Sequence, residues 1–327
     1  MRRGRGFGYV DVDGDRVSDE RTIGRIRALA IPPAWQEVWI CIDPLGHLQA
    51  TGVDAAGRKQ YLYHEAWREQ RDREKFRRMV EFAEQLPRLL RRLTAGLAGT
   101  ELDQVRVLAC AVRLLDIGLF RIGGEEYAEQ GGGLGLATLH KAHVRLGDDA
   151  IVFDYPAKSG LRRVHEVRDP DALAVIRALK RRRGGEQLLA YRERRRWTPV
   201  RSEDINEYIK RDLGERFSAK DFRTWNATVM AAVSVSVAAQ RDQAPTKTAR
   251  KRAVDGAVRE VAELLGNTPA VARRAYIDPR VFDRYRSGST ISAPRGGVAG
   301  LDGDGARRRR RIERAVLELL TGDRSAS

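Results

Sequence analysis

The chain has 327 residues, 42% hydrophobic and 32% charged, enough for two domains with a real core and too apolar for wholesale disorder. Its 61 Lys plus Arg against 45 Asp plus Glu give a formal charge of +16, which points to a polyanionic partner, most often nucleic acid. Two cysteines, Cys41 and Cys110, exclude a disulfide framework and a Cys-rich zinc site. His140 and His143 match metal spacing only weakly, so no metal is expected. The longest near-apolar stretch, 229–239, contains Ser234 and Ser236 and is too short to span a membrane. The basic start has no apolar run behind it, so no signal peptide is expected. These features describe a reduced, cytoplasmic, nucleic-acid-facing protein.

In chain order, 7–12 and 15–17 flank Asp13-Gly14, a two-residue hairpin signal. A short helix over 22–30 stops before Pro32-Pro33. Residues 38–42, 47–52 and 58–63 read as strands, separated by Asp43-Pro44-Leu45-Gly46 and Asp54-Ala55-Ala56-Gly57 turns. From Glu65 the apolar period changes from two to about 3.6, and a charged helix is expected as far as Gln85, halted near Pro87. The domain boundary falls within that helix, giving a β-rich domain over 1–76 and a mainly helical one over 77–327.

A second helix covers 102–119. A small β patch follows at 143–146, 150–155 and 161–167, with the turn Pro156-Ala157-Lys158-Ser159-Gly160 between its last two strands. Helices then dominate. Ile205, Tyr208, Ile209 and Leu213 line one face that ends at Gly214. Ser218 with Asp221 resembles a capping box, opening a helix whose core face carries Phe222, Trp225, Val229, Val233 and Val237. Val254, Val258, Val261 and Leu265 mark the next helix, stopped at Gly266. Thr268-Pro269 and Asp278-Pro279 each read as an N-cap followed by proline at the first helical position. A loop over 296–305 precedes a closing helix with Ile312, Val316 and Leu319 on its apolar face. The fold class is α+β.

Arginine outnumbers lysine 52 to 9, so each lysine draws scrutiny. Lys158 sits in a tight turn from which its side chain can reach a cleft, and lysine can surrender a proton where arginine cannot. Arg121 follows the apolar run Leu114-Leu115-Asp116-Ile117-Gly118-Leu119-Phe120, an unusual place for an unpaired cation. Arg223 lies beside Phe222 on an apolar stripe, and Tyr276 ends a short helix. Composition and periodicity define a basic, DNA-binding α+β chain, and leave each of these four open to a plain structural role.

Five boxes in order resemble a known family. They are Gly57-Arg58-Lys59-Gln60-Tyr61-Leu62-Tyr63-His64, Arg121-Ile-Gly-Gly-Glu-Glu-Tyr127 with Gly133-Leu-Gly-Leu-Ala-Thr-Leu-His-Lys-Ala-His143, Ala157-Lys158-Ser159-Gly160, Lys220-Asp-Phe-Arg223-Thr-Trp, and Asn267-Thr-Pro-Ala-Val-Ala-Arg-Arg-Ala-Tyr276. Together they resemble the type IB DNA topoisomerases of the compact bacterial and poxvirus kind, over about 7–290. Asn267 stands where many members have histidine, and Gly-Gly-Glu-Glu after Arg121 and Ile122 is more acidic than the family's usual stretch.

The resemblance implies transesterification at a DNA phosphodiester, with no cofactor. Tyr276 would be the nucleophile, Arg121 and Arg223 the bidentate clamps on the non-bridging oxygens, Asn267 a neutral donor and Lys158 the general acid. It also implies DNA contacts from Arg58, Gln60, Tyr61, Tyr63, Tyr127 and Lys220, with Gln60 suited to an adenine edge in the major groove. As strand neighbours, Tyr61 and Tyr63 share one face and Gln60 takes the other. The expected partner is double-stranded DNA in the nucleoid, clamped by a monomer. The basic runs 180–183, 192–196 and 307–311 are candidates for further DNA contact or plain solvated faces. A tyrosine recombinase is the nearest rival, but recombinases usually place histidine three residues before the second arginine, where this chain has Lys220. A non-enzymatic DNA-binding protein would explain the charge and not the ordered boxes.

Overall fold

A computed structural model describes residues 2–3, 6–129, 131–242, 245–301 and 306–322. Contacts cluster into two compact units, Met1–Arg77 and Arg78–Ser327.

The first unit opens with a short antiparallel pair, β1 (Arg2–Arg3) and β2 (Gly6–Phe7). The expected Asp13-Gly14 hairpin is reduced to a single bridge between Val10 and Arg16. Its loop is also one residue longer than expected. Asp11 N–H donates to the Asp15 carbonyl (2.9 Å), and Gly14 takes φ +89°, which a residue with a Cβ resists. Helix α1 (Glu20–Ala28) is capped by Asp19, whose carboxylate accepts from Thr22 N–H at 2.7 Å. The three strands that follow form an antiparallel meander in the order β3 (Gln36–Ile40), β4 (Leu48–Val53), β5 (Lys59–Tyr63). Asp43 and Asp54 each accept backbone N–H groups inside their own turns, which fixes both connections locally.

Helix α2 (Glu65–Leu97) runs straight through Pro87, where the sequence pattern alone ends it. A proline there removes one helical hydrogen bond and costs about 3 kcal/mol. The opposing force is a continuous apolar stripe of Met79, Val80, Phe82, Leu86, Leu89, Leu93 and Leu97, all buried. Each such side chain contributes roughly 1.5–3 kcal/mol on burial, so the stripe outweighs the proline.

In the second unit, α3 (Gln104–Gly118) starts at the cap residue Asp103 and is buried almost all round. It ends at Leu119, which adopts a left-handed φ of +53°. After α4 (Glu125–Glu129) come β6 (Val144–Leu146), β7 (Ile151–Pro156) and β8 (Arg162–Val167), an antiparallel sheet in sequence order. Helix α5 (Pro170–Arg181) carries Asp169 at its cap. The basic stretch 192–196 lies in an antiparallel hairpin of β9 (Ala190–Glu193) and β10 (Arg196–Pro199), turning at Arg194 with φ +54°.

Helices α6 (Ser202–Leu213), α7 (Ala219–Arg241) and α8 (Lys247–Leu265) follow, then α9 (Pro269–Ala275), α10 (Pro279–Arg286) and α11 (Ala306–Thr321). Their boundaries obey the caps read from sequence: Ser218 N–H donates to Asp221 (2.9 Å), and Thr268 and Asp278 accept from Val271 and Arg280. Gly214 and Gly266 close α6 and α8 at φ +104° and +60°. Helix α7 is the axis of the unit, packed by α3, α6, α8, α10 and α11. It is therefore buried on every face from Asp221 to Val233, where a single stripe is expected, while Val237 near its end is only half-buried. In α11, Leu320 takes the buried place expected of Leu319. Of the expected loop at 296–305, positions 302–305 lie outside the described residues. Among the described residues no helix is long and apolar enough to cross a membrane.

Candidate active site

The site is built on the C-terminal end of α8. The last carbonyls of any helix lack intrahelical partners and carry the negative end of its dipole, so cations gather there. Here three arginines do. Arg163 donates to the Leu264 carbonyl at 2.9 Å, Arg223 to Leu265 at 2.9 Å and Arg121 to Gly266 at 2.9 Å. Arg121 also donates to Asn267 Oδ1 at 2.6 Å. The positive φ of Gly266 turns the chain at once from helix to Asn267.

Each arginine is delivered by a different element. Arg121 follows the left-handed turn at Leu119 that ends α3. Arg223 comes from the second turn of α7, buried, and additionally donates to the Leu119 carbonyl. Arg163 is on β8, on the same strand face as His165 and Val167. Burial lowers the Arg223 pKa to about 10, Tyr276 opposes that shift, and Arg121 and Arg163 add to it. Arg163 is likewise lowered by burial and by Arg121, while Tyr155 opposes the shift. Both remain cations at neutral pH. Among the described residues, none of the three arginines forms an ion pair with a carboxylate. Their charge is uncompensated.

Tyr276 caps α9 with φ −125°. Its ring lies under the Arg223 guanidinium, 5.3 Å from the ring centroid to Cζ, a cation–π distance. The Thr228 hydroxyl of α7 holds this corner: it accepts from Asp278 N–H at 3.1 Å and lies 3.2 Å from the Tyr276 carbonyl. Tyr276 is half-buried, whereas the nearby Tyr285 is buried. At this site two buried donors have no partner among the described residues, Arg223 Nε and Asn267 Nδ2. Both are free to donate to a bound acceptor.

Lys158 is exposed in the one-turn 3₁₀ segment Lys158–Gly160, with no hydrogen bond to the arginines, Asn267 or Tyr276. Its turn is nevertheless tied to Arg121 through backbone. Leu134 N–H donates to Pro156 O (2.8 Å), and Leu136 N–H to Arg121 O (2.8 Å). Gly133 and Gly135 make this possible. A Cβ on Gly133 would lie 2.4 Å from Ala157 O, and one on Gly135 would lie 2.4 Å from Gly123 N. The acidic stretch beside Arg121 is also accounted for: Glu125 accepts from Ser202 N–H at 2.9 Å and Ser202 Oγ at 3.0 Å, at the start of α6. Tyr127 lies in α4, but its side chain is outside the described residues. Lys220 is exposed on the first turn of α7.

In the first unit, Tyr61 and Tyr63 lie on one face of β5 with rings stacked at 6.2 Å, and Trp67 extends the stack at 4.3 Å from Tyr63. Tyr61 is 50% exposed. Arg58 and Gln60 both donate to the same carboxylate, Asp54 Oδ2, at 3.0 and 2.9 Å. One N–H of the Gln60 amide is thus engaged, which leaves its second N–H and its carbonyl for other partners.

Sequence reasoning missed Arg163. The signal was available in the alternation of β8, which puts Arg163 in phase with buried Val167.

Three arginines without carboxylate partners among the described residues, one of them over the Tyr276 ring, form in a mainly helical setting a site suited to an anionic ligand such as a phosphate. The comparisons with known proteins narrow that reading. Residues 64–290 match the family model described as the eukaryotic DNA topoisomerase I catalytic core, and residues 6–54 match the bacterial DNA topoisomerase IB N-terminal domain. The chain belongs to the type IB DNA topoisomerase family. It is 28% identical to the DNA topoisomerase 1B of Acanthamoeba polyphaga mimivirus over 286 residues, covering 86% of this chain and 85% of that one. Similarity to the DNA topoisomerase I of monkeypox virus is 22% over 255 residues, 77% and 76% of the two chains. The same values hold for the DNA topoisomerase 1B of vaccinia virus, strain Copenhagen.

Proposed function

We propose that this enzyme relaxes supercoiled duplex DNA by cutting one strand, holding it covalently and resealing it. Tyr276 Oη, giving up its proton to solvent, attacks a backbone phosphorus as the bond from phosphorus to the 5′-oxygen breaks. The product is a 3′-phosphotyrosine and a free 5′-hydroxyl, and Lys158 supplies the proton that the leaving oxygen takes. The phosphoester bond count is unchanged, so the reverse step reseals the strand without ATP. Arg121 and Arg223 meet the charge that develops on the non-bridging oxygens, and Asn267 Nδ2 adds a neutral donor. No metal or nucleotide cofactor has a step in this scheme.

The observation that carries this reading is the uncompensated arginine cluster at the end of α8, with Tyr276 against Arg223 and two unpartnered donors beside it. A phosphate oxygen would meet those donors. Arg58, Gln60, Tyr61, Tyr63, Tyr127 and Lys220 contact the duplex, and the first unit, through 1–76, clamps it. The enzyme works as a monomer on the nucleoid in the cytoplasm, and its affinity falls steeply with salt. The test is plasmid relaxation in EDTA without ATP. Complete relaxation through a ladder of topoisomers is expected. A requirement for magnesium or ATP, or recombinant products in place of the ladder, would overturn the reading.

A further inference from the structure

A second helix end, that of α3, is capped as elaborately as that of α8, and by residues to which no role has been given so far. Helix α3 stops at Gly118, which leaves the carbonyls of its last turn without helical donors. The Asp116 carbonyl receives two replacements: Asn226 Nδ2 of α7 at 2.7 Å and Arg309 of α11 at 2.7 Å. The same Arg309 nitrogen donates to Asn226 Oδ1 at 2.9 Å, which closes a ring of three partners. All three residues are buried, Asp116 completely and Arg309 with 8% exposure. Arg309 Nε is held in turn by Glu313, at 2.9 Å, one turn along its own helix.

The position of this ring gives it consequence. Asn226 and Arg223 are three residues apart on α7 and so share a face. From that face Asn226 fastens α3 at residue 116 and Arg223 fastens it at residue 119. Arg121 lies two residues further on, beyond the left-handed turn at Leu119. The spacing between the two arginines is thus set by how the end of α3 sits against α7. Asn226 alone could pivot on a single hydrogen bond. Arg309, donating to both partners, removes that freedom.

We propose that Arg309 is a positioning residue for strand cleavage, fixing Arg121 relative to Arg223 without touching DNA; this rests on the function proposed above. A shift of about 1 Å in a charge-stabilising group can cost roughly a hundredfold in rate, so the effect is large enough to measure. Arg310, its neighbour, is the internal control. It pairs with the carboxylates of Asp116 (2.9 Å) and Glu313 but makes no bond to the Asp116 carbonyl.

The test is a double-mutant cycle in single-turnover cleavage of a duplex at saturating protein, for wild type, Arg309→Lys, Arg223→Ala and the double variant. Lysine keeps the charge opposite Glu313 and loses the fork. Arg309→Lys should slow cleavage by about tenfold to a hundredfold with DNA affinity unchanged. In the Arg223→Ala background it should slow cleavage little further, because there is no longer a pair to space. Asn226→Ser breaks the same ring from α7 and should behave alike in the same cycle, so the test does not hang on one variant folding. Arg310→Lys should cleave close to the wild-type rate. Full multiplication of the defects in both cycles, or wild-type cleavage by Arg309→Lys and Asn226→Ser, would reduce the ring to plain fold support and overturn the inference. Absence of any covalent cleavage by the wild-type protein would instead overturn the function beneath it.

Discussion

The ends of α3 and α8 use the same chemistry to opposite purposes. At both, arginines from distant elements donate to carbonyls that the helix has left unpaired. At α3, Arg113, Arg309 and Arg310 surround the buried carboxylate of Asp116, and Glu313 adds a second. Charge is matched by charge, and nothing is left to attract a ligand. At α8, Arg121, Arg163 and Arg223 meet only neutral carbonyls and one amide. Their excess charge persists, and in the proposed function a DNA phosphate is its complement. The lesson is that the count of arginines at a site says little until their carboxylates are located.

The largest effect that would sharpen this contrast concerns Lys158, whose turn is tied to the Arg121 segment only through backbone. Lys158→Ala should slow cleavage of an ordinary duplex by about 10²–10⁴. A 5′-bridging phosphorothiolate leaves as a thiolate that needs no proton and should restore most of the rate. Equal loss on both substrates would remove Lys158 from the acid role.

Next come the clamps themselves. Arg121→Ala and Arg223→Ala should each cost on the order of 10²–10³ in single-turnover cleavage. Asn267→Ala should cost less, because a neutral donor is weaker than a charge-assisted fork, and Asn267→His should retain part of the activity. An Asn267→Ala variant more crippled than Arg223→Ala would invert the assigned roles.

At the α3 end the expected loss is of stability. Asp116→Asn would leave Arg113, Arg309 and Arg310 with only Asp169 and Glu313 to balance them, and urea unfolding should show a loss of about 3–5 kcal/mol. Burial pushes the Asp116 carboxyl up, but Arg310, Arg309 and Arg113 overcome it and hold the group at about 2, below its ordinary 3.8. Its contribution is therefore full above pH 3.8 and is lost as pH falls toward 2. An Asp116→Asn protein as stable as wild type at pH 7 would show that the cluster merely fills space.

A smaller effect lies beside the α8 end. Burial, with Arg163 adding to it, holds His165 at about 4 against its ordinary 6.5. The unfolded chain takes up that proton first. Stability should be full above pH 6.5 and decline as pH falls to about 4. The size is roughly 3 kcal/mol. His165→Phe should flatten the decline in urea midpoint between pH 7 and 4.5, and an unchanged slope would assign the acid sensitivity elsewhere.

Much of this architecture is legible in the amino-acid sequence. Ser218 with Asp221, Thr268-Pro269 and Asp278-Pro279 bound their helices as capping chemistry dictates, because those signals act over three or four residues. The three strands of each small sheet are legible for the same reason. What escapes a reading of the sequence is decided at long range. Pro87 reads as a stop until the stripe from Met79 to Leu97 finds a core to enter. The run 192–196 reads as a basic patch because its pairing as β9 and β10 is hidden under arginines. The run 307–311 looks uniform, yet Arg309 and Arg310 are drawn inward by Asp116, nearly two hundred positions earlier. The run 180–183 is drawn in part onto backbone carbonyls by Lys180 and Arg182. At the site, motif resemblance singles out Arg121, Lys158, Arg223, Asn267 and Tyr276 as candidates, and the structure brings Arg121, Arg223, Asn267 and Tyr276 to the α8 end. It does not find that α8 collects the arginines, since a helix end has no side chain to advertise it.

The most direct test of the account is to trap the protein on nicked or supercoiled DNA with denaturant, digest both, and map the modified residue by mass spectrometry. A nucleotide attached through its 3′-phosphate to Tyr276 is expected, with the adduct absent from Tyr276→Phe and intact in Tyr285→Phe. A nucleotide on any other residue, or an adduct that survives in Tyr276→Phe, would contradict the account.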